Sequence, residues 1–151
     1  MSILTPEQIA ELADNGLTPE ADHVPVVMLE TRHGGAVIGG FLLTHINPEH
    51  ETEAYGLIDF GTGKPRISMI FLDQLKTFYP RYDFAVEANN EFAPSYPISV
   101  YAQATRMMGK ITPNKPSLQM AATHLELTKA KDQFINPFRK DDGPAFLPMP
   151  N

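Results

Sequence analysis

The chain contains no cysteine. Disulfides, thiolate metal sites and a cysteine nucleophile are thereby excluded, a composition compatible with a reducing cytoplasm. No stretch approaches the ~20 apolar residues of a membrane span, and the N-terminus, MSILTPEQIAELADNG, has no basic region followed by an apolar run. These absences predict a soluble protein that uses no ordinary secretion signal and has no membrane partner. Clustered positive charge is missing as well: the net charge is -6, with Asp and Glu scattered along the chain. That balance argues against direct nucleic-acid binding, which requires Lys and Arg to neutralise phosphates, and leaves a basic partner open. There is no internal repeat, and no low-complexity run apart from the proline-rich end. The Gly-x-Ser-x-Gly elbow is absent and nothing marks any serine as a nucleophile.

A chain of 151 residues fits one domain with a core of its own. Thr5, Pro6 and Gln8 spell an N-cap, a first helical residue and a capping box. Leu4 and Ile9 suit a hydrophobic staple, and Gly16 after Asn15 suits a left-handed helix stop. From His23 the period shifts to that of strands. HVPVVMLETR and AVIGGFLLTHI form a hairpin across His33-Gly34-Gly35, and Gly39-Gly40 suggests a bulge or a close backbone approach. A strand over Glu53 to Phe60, apolar on both faces, is expected to be central, with Arg66 to Phe71 as its antiparallel partner. Asp73 caps a short helix containing Leu75 and Phe78, and Tyr82 to Ala88 forms a further strand. Pro97 opens a helix closed by Gly109, and a last helix runs from about Pro116 to Lys131 with Leu118, Ala121, Ala122 and Leu125 as its stripe. The expected class is α+β: an antiparallel sheet of about four to five strands, with an N-terminal helix and C-terminal helices packed on it. Residues 1–112 form the domain, and 113–151 a C-terminal helix with a Pro/Phe-rich tail.

Several residues invite a chemical reading. His45, Glu49, His50 and Asp59 are imidazole and carboxylate groups that a divalent metal would accept, although their spacing fits no established motif and surface loop positions are the plainer account. Asp59 before Gly61 suits an Asx-type turn better than a general base. Gly61-Thr62-Gly63-Lys64 has the glycines and lysine of an anion cradle, but Pro65 and a strand follow where a Walker loop needs Ser or Thr and a helix. It is a hairpin loop. His124 and Glu126 do not face one another on a helix, whereas His124 and Thr128 do. No cofactor is indicated.

Five spaced blocks, LTPEQIAELADNG, VPVVMLET, FLLTHINPE, YGLIDFGTGKP with the downstream FLDQL, and PISVYAQATRMMGKI, together span about Leu4 to Ile111. In pattern and order they resemble a bacterial domain-of-unknown-function family carried on plasmids, integrative elements and phages. The resemblance implies an α+β domain and a mobile-element setting, and no particular activity. Family members tend to have an acidic residue where this chain has Arg66, and glycine where it has Ser68. Arg66 is therefore a candidate binding residue particular to this protein.

The tail beyond the resemblance supplies the other candidates. Phe134, Ile135, Phe138, Phe146 and Leu147 are interleaved with Pro137, Pro144, Pro148 and Pro150, too apolar for an ordinary disordered tail and too broken for a helix. Burying these side chains and ordering the segment have comparable and opposing free energies, so attachment would be conditional on a protein partner or on self-association. The expectation is a non-enzymatic binding protein of a phage or plasmid, acting by protein contact, for instance as an antagonist of host defence, in the host cytoplasm. A structural or assembly protein in a phage particle and a small metal-dependent hydrolase built on His45, Glu49, His50 and Asp59 are the alternatives.

Overall fold

The computed structural model describes residues 3–60, 64–77 and 84–135. Along the chain run α1 (Pro6–Asn15), β1 (Val27–His33), β2 (Ala36–Asn47), β3 (His50–Asp59), β4 (Arg66–Phe71), α2 (Leu72–Thr77), β5 (Phe84–Ala88), α3 (Ile98–Met108) and α4 (Lys115–Ile135). The strands form one antiparallel sheet in the order β4-β3-β2-β1-β5. The α+β class, with an N-terminal helix and C-terminal helices on an antiparallel sheet, is as expected; α2 begins at Leu72, so Asp73 lies in its first turn instead of capping it. β2 is the middle strand, and β3 is flanked on both sides.

Local chemistry accounts for the element ends. Gln8 N–H donates to Thr5 Oγ at 3.1 Å and Thr5 N–H to Gln8 Oε1 at 2.9 Å, the reciprocal capping box. Between β1 and β2, Gly34 and Gly35 both take positive φ, 60° and 88°, which a two-residue hairpin turn of this twist requires. Ile38 has no partner on β1, because Thr31 pairs with Gly39 and Arg32 with Val37. This is the bulge anticipated beside Gly39-Gly40. Gly109 closes α3 at φ 82°, its N–H donating to the Thr105 carbonyl.

Gly16 does not behave as expected. It is right-handed, φ -67°, and its role is spatial: a Cβ there would overlap the Ile46 carbonyl oxygen where α1 meets β2. The last helix also continues past the expected Lys131 to Ile135, so Phe134 belongs to α4. Phe78 and Tyr82, and residues 61–63 of the glycine turn, lie outside the described residues. On either side of that turn Ile58 pairs with Arg66, as a β3-β4 hairpin demands.

Alternation in the strands sends apolar side chains to both faces of the sheet. On one face Leu29, Phe41, Leu43, Ala54, Ile58 and Ile70 meet Leu12 of α1 and Leu75 of α2. On the other, Met28, Leu42 and Leu57 meet Val100, Tyr101 and Ala104 of α3 and Leu118 and Ala121 of α4. Phe41, Leu42, Leu43, Ala104, Leu118 and Ala121 have no exposed surface. The last helix thus shares the second of these two cores with α3 and the sheet.

Candidate functional site

The four metal candidates do not converge. His45 pairs with Tyr55 and Asp59 with Gly40 in the β2-β3 ladder. Tyr55 and Asp59 are four positions apart along β3, about 13 Å at ~3.3 Å per residue. His50 opens β3 from its other end, and both it and Glu49 are exposed. Among the described residues no group of three or more His, Asp or Glu side chains is placed to hold a metal ion. Closeness in sequence does not bring these groups together, because a strand converts each residue into over 3 Å of travel. Asp59, buried, instead lines a small cavity of about 100 Å³ with Met28, Gly39, Gly40, Lys110 and Ile111.

His45 belongs to a different cluster. A break in register places Thr44 between the Leu43-Gly56 and His45-Tyr55 pairs, so the imidazole turns onto the face that carries Tyr55. The two rings stack, 4.8 Å between centroids and 6° from parallel, and the His23 ring lies 6.0 Å beyond. Thr44 Oγ lies 3.2 Å from the Tyr55 carbonyl oxygen and 2.9 Å from His45 Nδ1. The hydroxyl has one proton for these two neighbours, so its role toward the ring follows the His45 tautomer: it accepts from a protonated Nδ1 and donates to a bare one. Tyr55 O–H donates to Glu53 Oε1 at 3.3 Å. Partial burial, reinforced by the Glu53 carboxylate, raises the Tyr55 pKa above the ordinary phenol value.

Burial and the nearby His23 lower the His45 pKa below its ordinary 6.5. The unfolded chain therefore binds the proton more tightly than the folded one. Stability from this site is fully present above about pH 6.5 and falls as the pH drops through the lowered folded value. His45→Gln is expected to flatten the stability profile below pH 6.5, read from urea midpoints across pH 5 to 8. An unchanged profile would show that His45 does not set it. Neither Tyr55 nor His23 was singled out from sequence, since their meeting depends on the register break at Thr44.

The candidate binding residues fall into two groups. Arg66 is the exposed first residue of β4, a sheet edge. Phe134 lies within α4, and Phe138, Phe146 and Leu147 are outside the described residues. The structure adds two apolar surfaces that sequence reasoning did not find. Ile67, Met69 and Phe71 of β4 are exposed by 57%, 37% and 40%. On the helical layer Met120 and Leu127 of α4 are exposed by 61% and 65%, and Met107 and Met108 end α3 nearby in sequence. Met120 and Leu127 line an open groove with Pro116, Gln119, Thr123 and His124, where His124 Nδ1 is 3.0 Å from the Gln103 amide nitrogen. Residues 3–112 match the model of the family described as protein of unknown function (DUF2958). The chain belongs to that family. The family segment runs from α1 to the end of α3 and includes His45, Asp59, Arg66 and all of β4. α4 and its groove follow it. No curated protein and no solved structure matches the chain. Among the described residues no helix is long and apolar enough to cross a membrane.

Proposed function

We propose that this protein is a non-enzymatic binding protein of a phage or plasmid, acting by protein-protein contact, with host-defence machinery as the first class of target to test. One observation carries the reading. The solvent side of α4 presents Met120 and Leu127 at the groove, close in sequence to Met107 and Met108 at the end of α3. Large apolar side chains left in water at helical spacing are the anchors of helix-face contacts, and methionine adapts to partners of varied shape. The position of α4 beyond the family segment fits a shared scaffold bearing a surface particular to this chain.

The test is capture from host cells with mass spectrometry, followed by binding of the purified partner. Wild type is compared with the double variant Met120→Lys, Leu127→Lys. Both side chains are exposed, so the variant should fold, and circular dichroism checks that it does. The expected result is direct binding by wild type and at least about tenfold weaker binding by the variant, the loss of ~1.4 kcal/mol or more typical of an interface anchor. Equal binding by the folded variant would remove α4 as the contact surface. Failure of wild type to retain any purified partner would remove the reading itself.

A further inference from the structure

We propose that two copies of this chain pair edge to edge through β4, antiparallel about a two-fold axis at Met69, so that the sheet continues from one copy into the other. This contact uses a different surface from α4 and does not rest on the function proposed above. Among the described residues no strand pairs with the outer side of β4. An edge of this kind presents a row of backbone donors and acceptors that only another extended segment can match. Its charge and its neighbouring proline, Arg66 and Pro65, stand at the start of the strand and leave the rest of the edge without the residues that ordinarily block such pairing. Between Arg66 and Asp73 there is no charge and no proline. At the opposite edge, β5 carries Glu87, whose carboxylate lies 3.5 Å from Arg32 Nε.

The residue pattern selects the occupant and the register. Ile67, Met69 and Phe71 alternate along β4 and share the face on which Leu57 and Tyr55 lie opposite Ile67 and Met69. Directly opposed residues of an antiparallel pair share a face, so a two-fold axis perpendicular to the sheet must pass through a residue rather than between two. An axis at Ser68 would set Ile67 against Met69 but leave Phe71 beyond the pairing, opposite Pro65. An axis at Met69 sets Met69 against its own copy and Ile67 against Phe71 twice over. All six exposed apolar side chains of the two copies then meet, in aromatic and β-branched cross-strand pairs of the favourable kind.

Charge permits the same arrangement. Each Arg66 comes to lie opposite Leu72, and the two guanidinium groups are separated by about six residues of strand, ~20 Å. That distance exceeds the screening length of ~8 Å at physiological ionic strength. No acidic residue lies within the paired segment 67–71, so the overall negative charge of the chain acts on this contact only from a distance.

Analytical ultracentrifugation of the full chain, from low micromolar to near-millimolar concentration, is expected to show mass rising from 16.8 kDa toward twice that value. Met69→Lys sets two ammonium groups against each other at the axis and is expected to raise the dimer dissociation constant at least about tenfold. The absence of native cysteine allows the register to be read by cross-linking. Opposed Cα atoms in an antiparallel pair are ~4.5 to 5.5 Å apart, within disulfide reach. Met69→Cys should therefore cross-link two copies on mild oxidation, and Ser68→Cys at least about tenfold more slowly, being displaced along the partner strand. The proposal is overturned if wild type stays monomeric throughout, if folded Met69→Lys associates as tightly as wild type, or if Ser68→Cys cross-links as fast as Met69→Cys. Should Met69→Lys fail to fold, the two cysteine variants decide alone. Partner binding through α4 would survive any of these outcomes, so the two proposals fail separately.

Discussion

Gly56→Ala is expected to cost the fold on the order of 3 kcal/mol or more, a large share of the ~5 to 15 kcal/mol that holds a domain together. Gly56 sits in β3 opposite Leu43, and a Cβ added there would overlap the Leu42 carbonyl and crowd the Leu43 Cα. These are backbone atoms of the middle strand, held on the other side by β1, so they cannot move aside as a side-chain tip can. Relief would require the β2-β3 ladder to part next to the register break at Thr44, where it is already interrupted. Gly34→Ala is the control. Its turn has φ 60° and open space around it, so the cost is the left-handed conformation alone, about 1 to 2 kcal/mol. Urea midpoints of the two variants should differ clearly, with Gly56→Ala the lower or insoluble. Equal midpoints would mean that the sheet relaxes around residue 56 and that the close approach is not a constraint.

The same distinction, between constraints that are local and those that arrive from elsewhere in the fold, explains what could be read from the sequence. The α1 cap was legible because Thr5 and Gln8 satisfy each other within four residues, and the Gly34-Gly35 turn because its φ values are imposed by the turn itself. Gly16 was legible as a helix end but not for its reason, since the obstacle is a carbonyl thirty positions away at Ile46. That β5 joins β1, at the far side of the sheet from β4, has no local signal at all. Among the site residues, His45 drew notice for its neighbours in sequence, Glu49 and His50, whereas its neighbours in space are Tyr55 and His23. The exposed stripe of β4 was hidden differently. Ile67, Met69 and Phe71 look like core residues, and only the position of β4 at an edge leaves them in water.

A chain ending at Thr112, the last residue of the family segment, is expected to lose its cooperative fold. α4 supplies Leu118 and Ala121, both without exposed surface, to the layer that covers Met28, Leu42 and Leu57. A single buried leucine reduced to alanine costs about 2 to 5 kcal/mol, and removing the helix takes away that side chain, its neighbours and the cover over Tyr101 and Ala104 at once. The sum approaches the stability of a whole domain. The first core, built by α1 and α2 on the opposite face, keeps all of its residues, so the truncated chain should retain secondary structure while losing fixed packing. Its signature is far-UV dichroism largely kept, near-UV dichroism lost, strong binding of a hydrophobic dye and a broad urea transition. Comparison with a chain ending at Ile135 separates α4 from residues 136–151. A sharp transition in the 1–112 chain, with its midpoint near that of the full chain, would show instead that the family segment folds alone and that α4 is an accessory laid upon it. In that case Met120 and Leu127 would sit on a removable element, and a contact made through them could be gained or lost without disturbing the sheet.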